Sequence, residues 1–153
     1  MDSRDRSRAG KAVTGLILET FRLNGRLLAA GDALCGDLGL TSARWQVIGA
    51  IDAGPLPVAH IARTMGLTRQ GVQRVANELA AQGFVTFADN PHHRRAKLVA
   101  LSAKGRESLD IINRRQRDWA DRLAAGLPAG TVEAASEVMA TLRQRLEPDP
   151  TAD

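Results

Sequence analysis

The chain has 153 residues, 44% of them hydrophobic but only 3% aromatic, with no tyrosine and a net charge of +4. That length suits one domain with its own core, and the aliphatic bias favours helices. The single cysteine, Cys35, excludes an internal disulfide framework. No run of about 18 apolar residues offers a membrane helix, and the charged stretch Met1 to Arg8 leads into no hydrophobic signal segment. A cytoplasmic protein is expected.

Residues 1–10 are expected to form a disordered tail. From Lys11 to about Leu34, Val13, Leu16, Ile17, Phe21, Leu27 and Leu28 recur at helical spacing. Gly15, Gly25 and Gly31 lower the intrinsic propensity, so this helix has to be held by packing. After a break at Gly36 to Leu40, Thr41-Ser42 caps a short helix carrying Trp45, Ile48 and Ile51 that stops at Gly54-Pro55. Pro57 suits the first turn of a third helix with an apolar stripe of Val58, Ile61, Ala62 and Met65. Gly66 ends it. Thr68 caps a fourth helix running to Gln82, where Gly83 supplies the left-handed stop.

Phe84 to Ala88 and Ala96 to Leu101 are β-prone runs around the polar loop Asp89-Asn90-Pro91-His92-His93-Arg94-Arg95, which predicts a hairpin. Ser102 caps a long helix with Leu109, Ile112, Trp119 and Leu123, ending near Gly126-Leu127-Pro128. A last helix, Thr131 to Leu146, carries Val132, Ala135, Val138, Met139 and Leu142, with Pro148 and Pro150 beyond it. The fold class predicted is mainly α with a small β-hairpin wing.

Two short helices meeting at Gly66 have the pattern of a helix-turn-helix, the unit that seats its second helix in the DNA major groove. In that second helix Val72, Val75, Ala76 and Leu79 stand at i, i+3, i+4 and i+7 and face the core. The opposite face then presents Arg69, Gln70, Gln73, Arg74 and Asn77. Arg matches guanine O6 and N7, and Gln matches adenine N6 and N7, each by two hydrogen bonds. Gly71 removes a side chain near the helix start and would allow a close backbone approach. Between Pro57 and Gly105 seven basic residues face two acidic ones, so this segment carries +5 and the remainder −1. Ser42 and Thr68, at helix N-termini, are candidate phosphate ligands. Arg94 and Arg95 at the hairpin tip are candidates for the minor groove.

In this order the residues resemble the MarR family of winged-helix regulators. The likeness rests on Leu40-Thr41 with Trp45, Ile61-Ala62 to Gly66-Leu67, Gly83-Phe84-Val85, the run Asn90 to Leu98, and Leu101-Ser102-Ala103-Lys104-Gly105. It implies one MarR-like domain over residues 11–147, with a winged helix at 41–101 and dimerisation helices at 11–35 and 102–147; residues 148–153 form a tail. It implies a homodimer on a pseudo-palindromic double-stranded DNA operator, acting as a repressor released by a small ligand. The family's wing arginine falls on Arg95. A cleft between the second helix and the first and fifth, with Phe21, Arg22, Trp45 and Ile112 as candidates, would take an aromatic or phenolic effector. Three positions depart from the family pattern. His93 stands where an aspartate usually precedes the paired arginines, Asn77-Glu78 replaces Asp-Arg, and Phe87 replaces an arginine. Glu78 is a candidate partner for a wing arginine.

The peroxide-sensing branch of that family carries its cysteine near the start of the first helix, whereas Cys35 lies at the far end, so a redox switch is the less favoured alternative. His60, His92 and His93 form no metal set, no cofactor is expected, and no nucleophile is paired with a base. The competing functions are a winged-helix protein-interaction module that does not bind DNA, and an architectural DNA binder without an effector.

Overall fold

The computed structural model describes residues 7–147; of the tails expected at 1–10 and 148–153, residues 1–6 and 148–153 lie outside the described residues. The backbone forms two compact units, one up to Gln116 and one from Arg117. In the first, helix α1 (Arg8–Cys35) leads through a 3-10 turn (Gly36–Leu38) to α2 (Ser42–Ala50), strand β1 (Leu56–Pro57), α3 (Val58–Met65), α4 (Arg69–Ala81), β2 (Val85–Ala88), β3 (Leu98–Leu101) and the start of α5 (Ala103–Ala124). The second holds the end of α5 and α6 (Ala129–Leu146).

α1 begins at Arg8 because the Ser7 hydroxyl accepts the Gly10 amide at 3.0 Å, so residues 8–10 join the helix instead of the expected tail. α6 likewise starts two residues earlier than expected, behind Pro128. The α3 and α4 stripes are as the spacing predicts: Val58, Ile61 and Ala62 are buried on one helix, and Val72, Val75, Ala76 and Leu79 on the other. Gly66 at φ +65° closes α3, and its left-handed turn lets the Leu67 amide reach the Ala62 carbonyl at 2.9 Å. These stripes meet Cys35, Val47, Ile48, Ile51, Phe84, Val99, Leu109 and Ile112 in one core. Fully burying a side chain such as Leu79 or Ile61 contributes about 1.5–3 kcal/mol.

The hairpin forms as expected, with Val85 opposite Leu101 and Ala88 opposite Leu98. A third strand was not anticipated: Leu56 and Pro57 pair with Val99 and Leu98, giving the order β1-β3-β2. Two residues show no period, and proline is tolerated there because β1 is an edge strand that leaves its nitrogen unpaired. The wing is fastened to α5 at its base. Ser102 Oγ donates to the Gly83 carbonyl at 2.6 Å and accepts the Gly105 amide at 3.0 Å. A Cβ on Gly105 would lie 2.0 Å from the Phe84 carbonyl oxygen, so only glycine permits this approach.

α1 carries large exposed apolar side chains, including Ile17, Leu18 and Phe21, the last 72% exposed. In the second unit Leu123, Val132, Val138 and Met139 are also exposed. No helix among the described residues is long and apolar enough to cross a membrane.

Candidate nucleic-acid interface

α4 is positioned by its buried stripe and by Thr68, whose hydroxyl accepts the Gly71 amide at 3.1 Å. The Thr68 proton stays free to be donated to an anion. Gly71 has a more local reason than the one expected. A Cβ there would stand 2.9 Å from Thr68 Oγ1, so the glycine makes room for the cap.

With the stripe inward, Arg69, Gln70, Gln73, Arg74 and Asn77 are all exposed. They line, with Glu78, a cleft of about 590 Å³ along the outer face of α4. Gln73 Nε2 donates to Asn77 Oδ1 at 2.9 Å, which orders two of the base-capable amides along one turn. Asn77 Nδ2 and Gln73 Oε1 remain available, one as donor and the other as acceptor.

A second cleft, of about 570 Å³, opens between α4 and the wing. Arg69, Gln73 and Asn77 line one side and His93, Arg95 and Lys97 another, with Pro57, Val58 and Phe87 forming an apolar floor. Cationic groups from sequence positions 26 residues apart, Arg69 and Arg95, thus border one concavity. Arg94 is exposed in the same loop and lines neither cleft. The loop is shaped by Asn90, buried, whose Oδ1 accepts the His92 amide at 3.0 Å in an Asx turn. Lys97 Nζ stands 3.5 Å from Asp89, an exposed pair of little energetic weight.

Several expected roles are corrected. Ser42 is buried; its hydroxyl donates to the Leu28 carbonyl at 2.6 Å and its amide donates to Asp32 at 2.7 Å. Thr41 caps α2, and Ser42 locks α2 to α1 and offers nothing to a phosphate. Glu78 does not reach a wing arginine. Its two carboxylate oxygens face Arg74 at 3.1 Å and Arg44 at 3.3 Å. The four effector candidates are not gathered at one cavity. Ile112 is sealed in the core, Trp45 is half-buried against it, Phe21 is exposed, and Arg22 pairs with Glu19 at 2.6 Å on the surface of α1. Their helical spacing reported packing, and packing is what the core made of Ile112 and Trp45.

Sequence reasoning missed Arg44, His93 as a cleft residue, and Lys97. Arg44 stands in an ordinary helix start and acquires its meaning only from α4, 34 residues later. Lys97 was legible as a wing charge. Cys35 is fully buried, with its thiol 3.0 Å from the Gly31 carbonyl. Burial, then the nearby Asp32 and Asp37 carboxylates, push its pKa up, which suppresses the reactive thiolate.

Comparison with known proteins agrees with this geometry. Residues 38–96 match the model of the MarR family. An uncharacterized protein of Mycobacterium tuberculosis is 36% identical over 122 residues, covering 80% of this chain and 85% of its own. The structure is similar to CouR from Rhodococcus jostii RHA1 bound to p-coumaroyl-CoA, at 25% identity and a TM-score of 0.75, over 89% of this chain and 95% of that one. It shares its fold with a mutant MarR from E. coli complexed with operator DNA, at 18% identity and a TM-score of 0.76, over 89% of this chain and 99% of that one. The family consists of transcription regulators and not of enzymes. The chain belongs to the MarR family of winged-helix transcription regulators.

Proposed function

We propose that this protein is a sequence-specific DNA-binding regulator that acts as a homodimer on a pseudo-palindromic operator. The observation that carries this is the cleft between α4 and the wing. Arg69, Gln73 and Asn77 on the helix and His93, Arg95 and Lys97 on the loop border it together. Base-edge donors and acceptors beside flanking cations are what a duplex requires: hydrogen bonds for sequence and charge for phosphate. The relative solved with operator DNA has the same fold. An interaction module without DNA would have no use for this cationic, amide-bearing face.

The dimer is supported by the apolar side chains left exposed on α1, Phe21 above all, which a second copy would cover. Two copies present two α4 helices, and a twofold-symmetric operator follows. The regulator is a repressor that leaves DNA when a small aromatic or phenolic effector binds. CouR, which was solved with an aromatic acyl thioester, supports an effector of that chemistry.

Gel shift with the DNA upstream of the protein's own gene tests the reading. A sequence-dependent shift, reversed by a hydroxycinnamate or its CoA thioester, is expected. Absence of any shift at low salt would overturn it.

A further inference from the structure

Arg44, Arg74 and Glu78 form a charged triad on the exposed side of the helix-turn-helix. Glu78 Oε1 is 3.1 Å from Arg74 Nη1, one turn back along α4, and Oε2 is 3.3 Å from Arg44 Nη2 on α2. Arg44 is itself anchored: its Nη1 donates to the Gly39 carbonyl and to Gln82 Oε1, both at 3.4 Å, and its side chain is only 22% exposed. Arg74 is the exposed member, 72% exposed and bordering the outer cleft beside Gln73 and Asn77. The carboxylate thus links an exposed, base-capable guanidinium to a largely buried one.

We infer that Glu78 is a specificity-determining residue, which positions Arg74 and discharges its attraction for phosphates. This rests on the DNA-binding reading above. The triad carries +1 in place of +2, so the outer half of α4 attracts a duplex backbone less than its arginines alone would. Arg74 keeps N–H groups beyond the one facing Glu78, and a neutral acceptor pair such as guanine O6 and N7 can take two directed hydrogen bonds from it without opposing the carboxylate's charge. A phosphate also offers two acceptors, but the Glu78 carboxylate beside Arg74 repels its negative charge, a penalty that a neutral base edge escapes. Glu78 raises the ratio of specific to non-specific binding at the expense of total affinity.

The test uses full-length protein, a duplex that the wild type selects from a random-sequence library, and a scrambled duplex of the same composition. Glu78→Gln keeps the shape and removes the charge. It should raise affinity for the scrambled duplex roughly threefold to tenfold, steepen the salt slope by about one per copy, and lower the selected-to-scrambled ratio at least threefold. Glu78→Asp keeps the charge but is too short to span both guanidiniums, and should lower the ratio through weaker binding of the selected duplex. If Glu78→Gln shifts both duplexes by the same factor or neither, or if Glu78→Asp keeps the wild-type ratio, the carboxylate is a bare surface charge and the inference is overturned. A wild type that binds no duplex or selects no sequence overturns the DNA-binding reading itself, and this inference with it.

Discussion

Gly31 on α1 faces the Ser42 hydroxyl on α2 with no room for a side chain between them. A Cβ on Gly31 would lie 2.3 Å from the Ser42 hydroxyl oxygen, so the absence of a side chain on α1 is what lets that hydroxyl reach the Leu28 carbonyl. Sequence reasoning read this glycine only as a weakness in the helix. It is the seat of the α1–α2 joint, with the Asp32 carboxylate receiving the Ser42 amide beside it.

Gly31→Ala should therefore destabilise the protein by about 1–3 kcal/mol, although alanine is the better helix former. Ser42→Ala loses a buried hydrogen bond and should cost about 1 kcal/mol. In the double variant the hydroxyl contact is gone and only the milder 3.3 Å approach to the Cβ of residue 42 remains, so the combined loss should be smaller than the sum. Urea midpoints of the four proteins measure this coupling, and strict additivity would show that the two residues do not compete.

The two arginines of the interface should fail differently. Arg74→Ala, on the outer face of α4, should reduce discrimination between the selected operator and point-mismatched duplexes by on the order of tenfold. Arg95→Ala, on the wing, should weaken binding to all duplexes by similar factors and lower the salt slope by about one per copy. Fluorescence anisotropy titrations at several salt concentrations separate the two patterns. Two substitutions without effect would place the DNA surface elsewhere.

Phe21 is 72% exposed on α1 without a described partner surface. On the homodimer reading, Phe21→Glu puts a charge into an apolar interface and should shift sedimentation toward the monomer at low micromolar concentration. Helical circular dichroism should stay close to the wild type's, because this side chain lends little to its own protomer's core. Unchanged sedimentation would exclude this part of α1 from the dimer contact.

Acid should loosen the joint between α1 and α5. Arg115 donates to both carboxylate oxygens of Asp37, at 2.7 and 2.9 Å, and to the Leu34 carbonyl at 2.8 Å. The Arg115 hydrogen bond holds Asp37 below its ordinary value of 3.8. A carboxylate whose pKa is lowered by folding stabilises the native state above its unfolded pKa, and that contribution is lost as pH falls through the folded one. Wild type should thus lose stability relative to Asp37→Asn below about pH 4, while the difference between them stays constant near neutrality. Equal acid sensitivity of the two in urea titrations would argue against the pairing.

Cys35 should behave as a buried thiol. Its modification by a disulfide reagent should be slow in the native protein and rapid in denaturant, since burial raises its pKa and shields the sulfur. Hydroperoxide should leave DNA binding intact in both wild type and Cys35→Ser. Operator release by peroxide that the substitution abolished would restore the redox alternative.

How much of this was legible depended on range. The stripes Val58-Ile61-Ala62 and Val72-Val75-Ala76-Leu79 announced α3 and α4 because helical burial repeats within a few residues. Caps at Thr41 and Thr68 were equally readable, since each hydroxyl bonds an amide three positions on. β1 was not readable, as two residues carry no period and their partner strand lies more than 40 residues away. Ile112 and Trp45 stood open to both a packing and a ligand role for a related reason: an apolar residue on a helix face looks the same whether it meets a ligand or a neighbouring side chain. The core took both.

The sequence by itself determined the order of helices, the turn at Gly66, the polar outer face of α4 and the charge of the wing. All of these follow from spacing, propensity and charge within a few positions of chain. The tertiary structure alone decided that Ser42 is an internal lock, that Arg69 and Arg95 border one cleft, and that Glu78 holds Arg44 and Arg74 and not the wing. Those outcomes depend on how whole elements pack, and packing sets distances between residues that the chain order leaves independent.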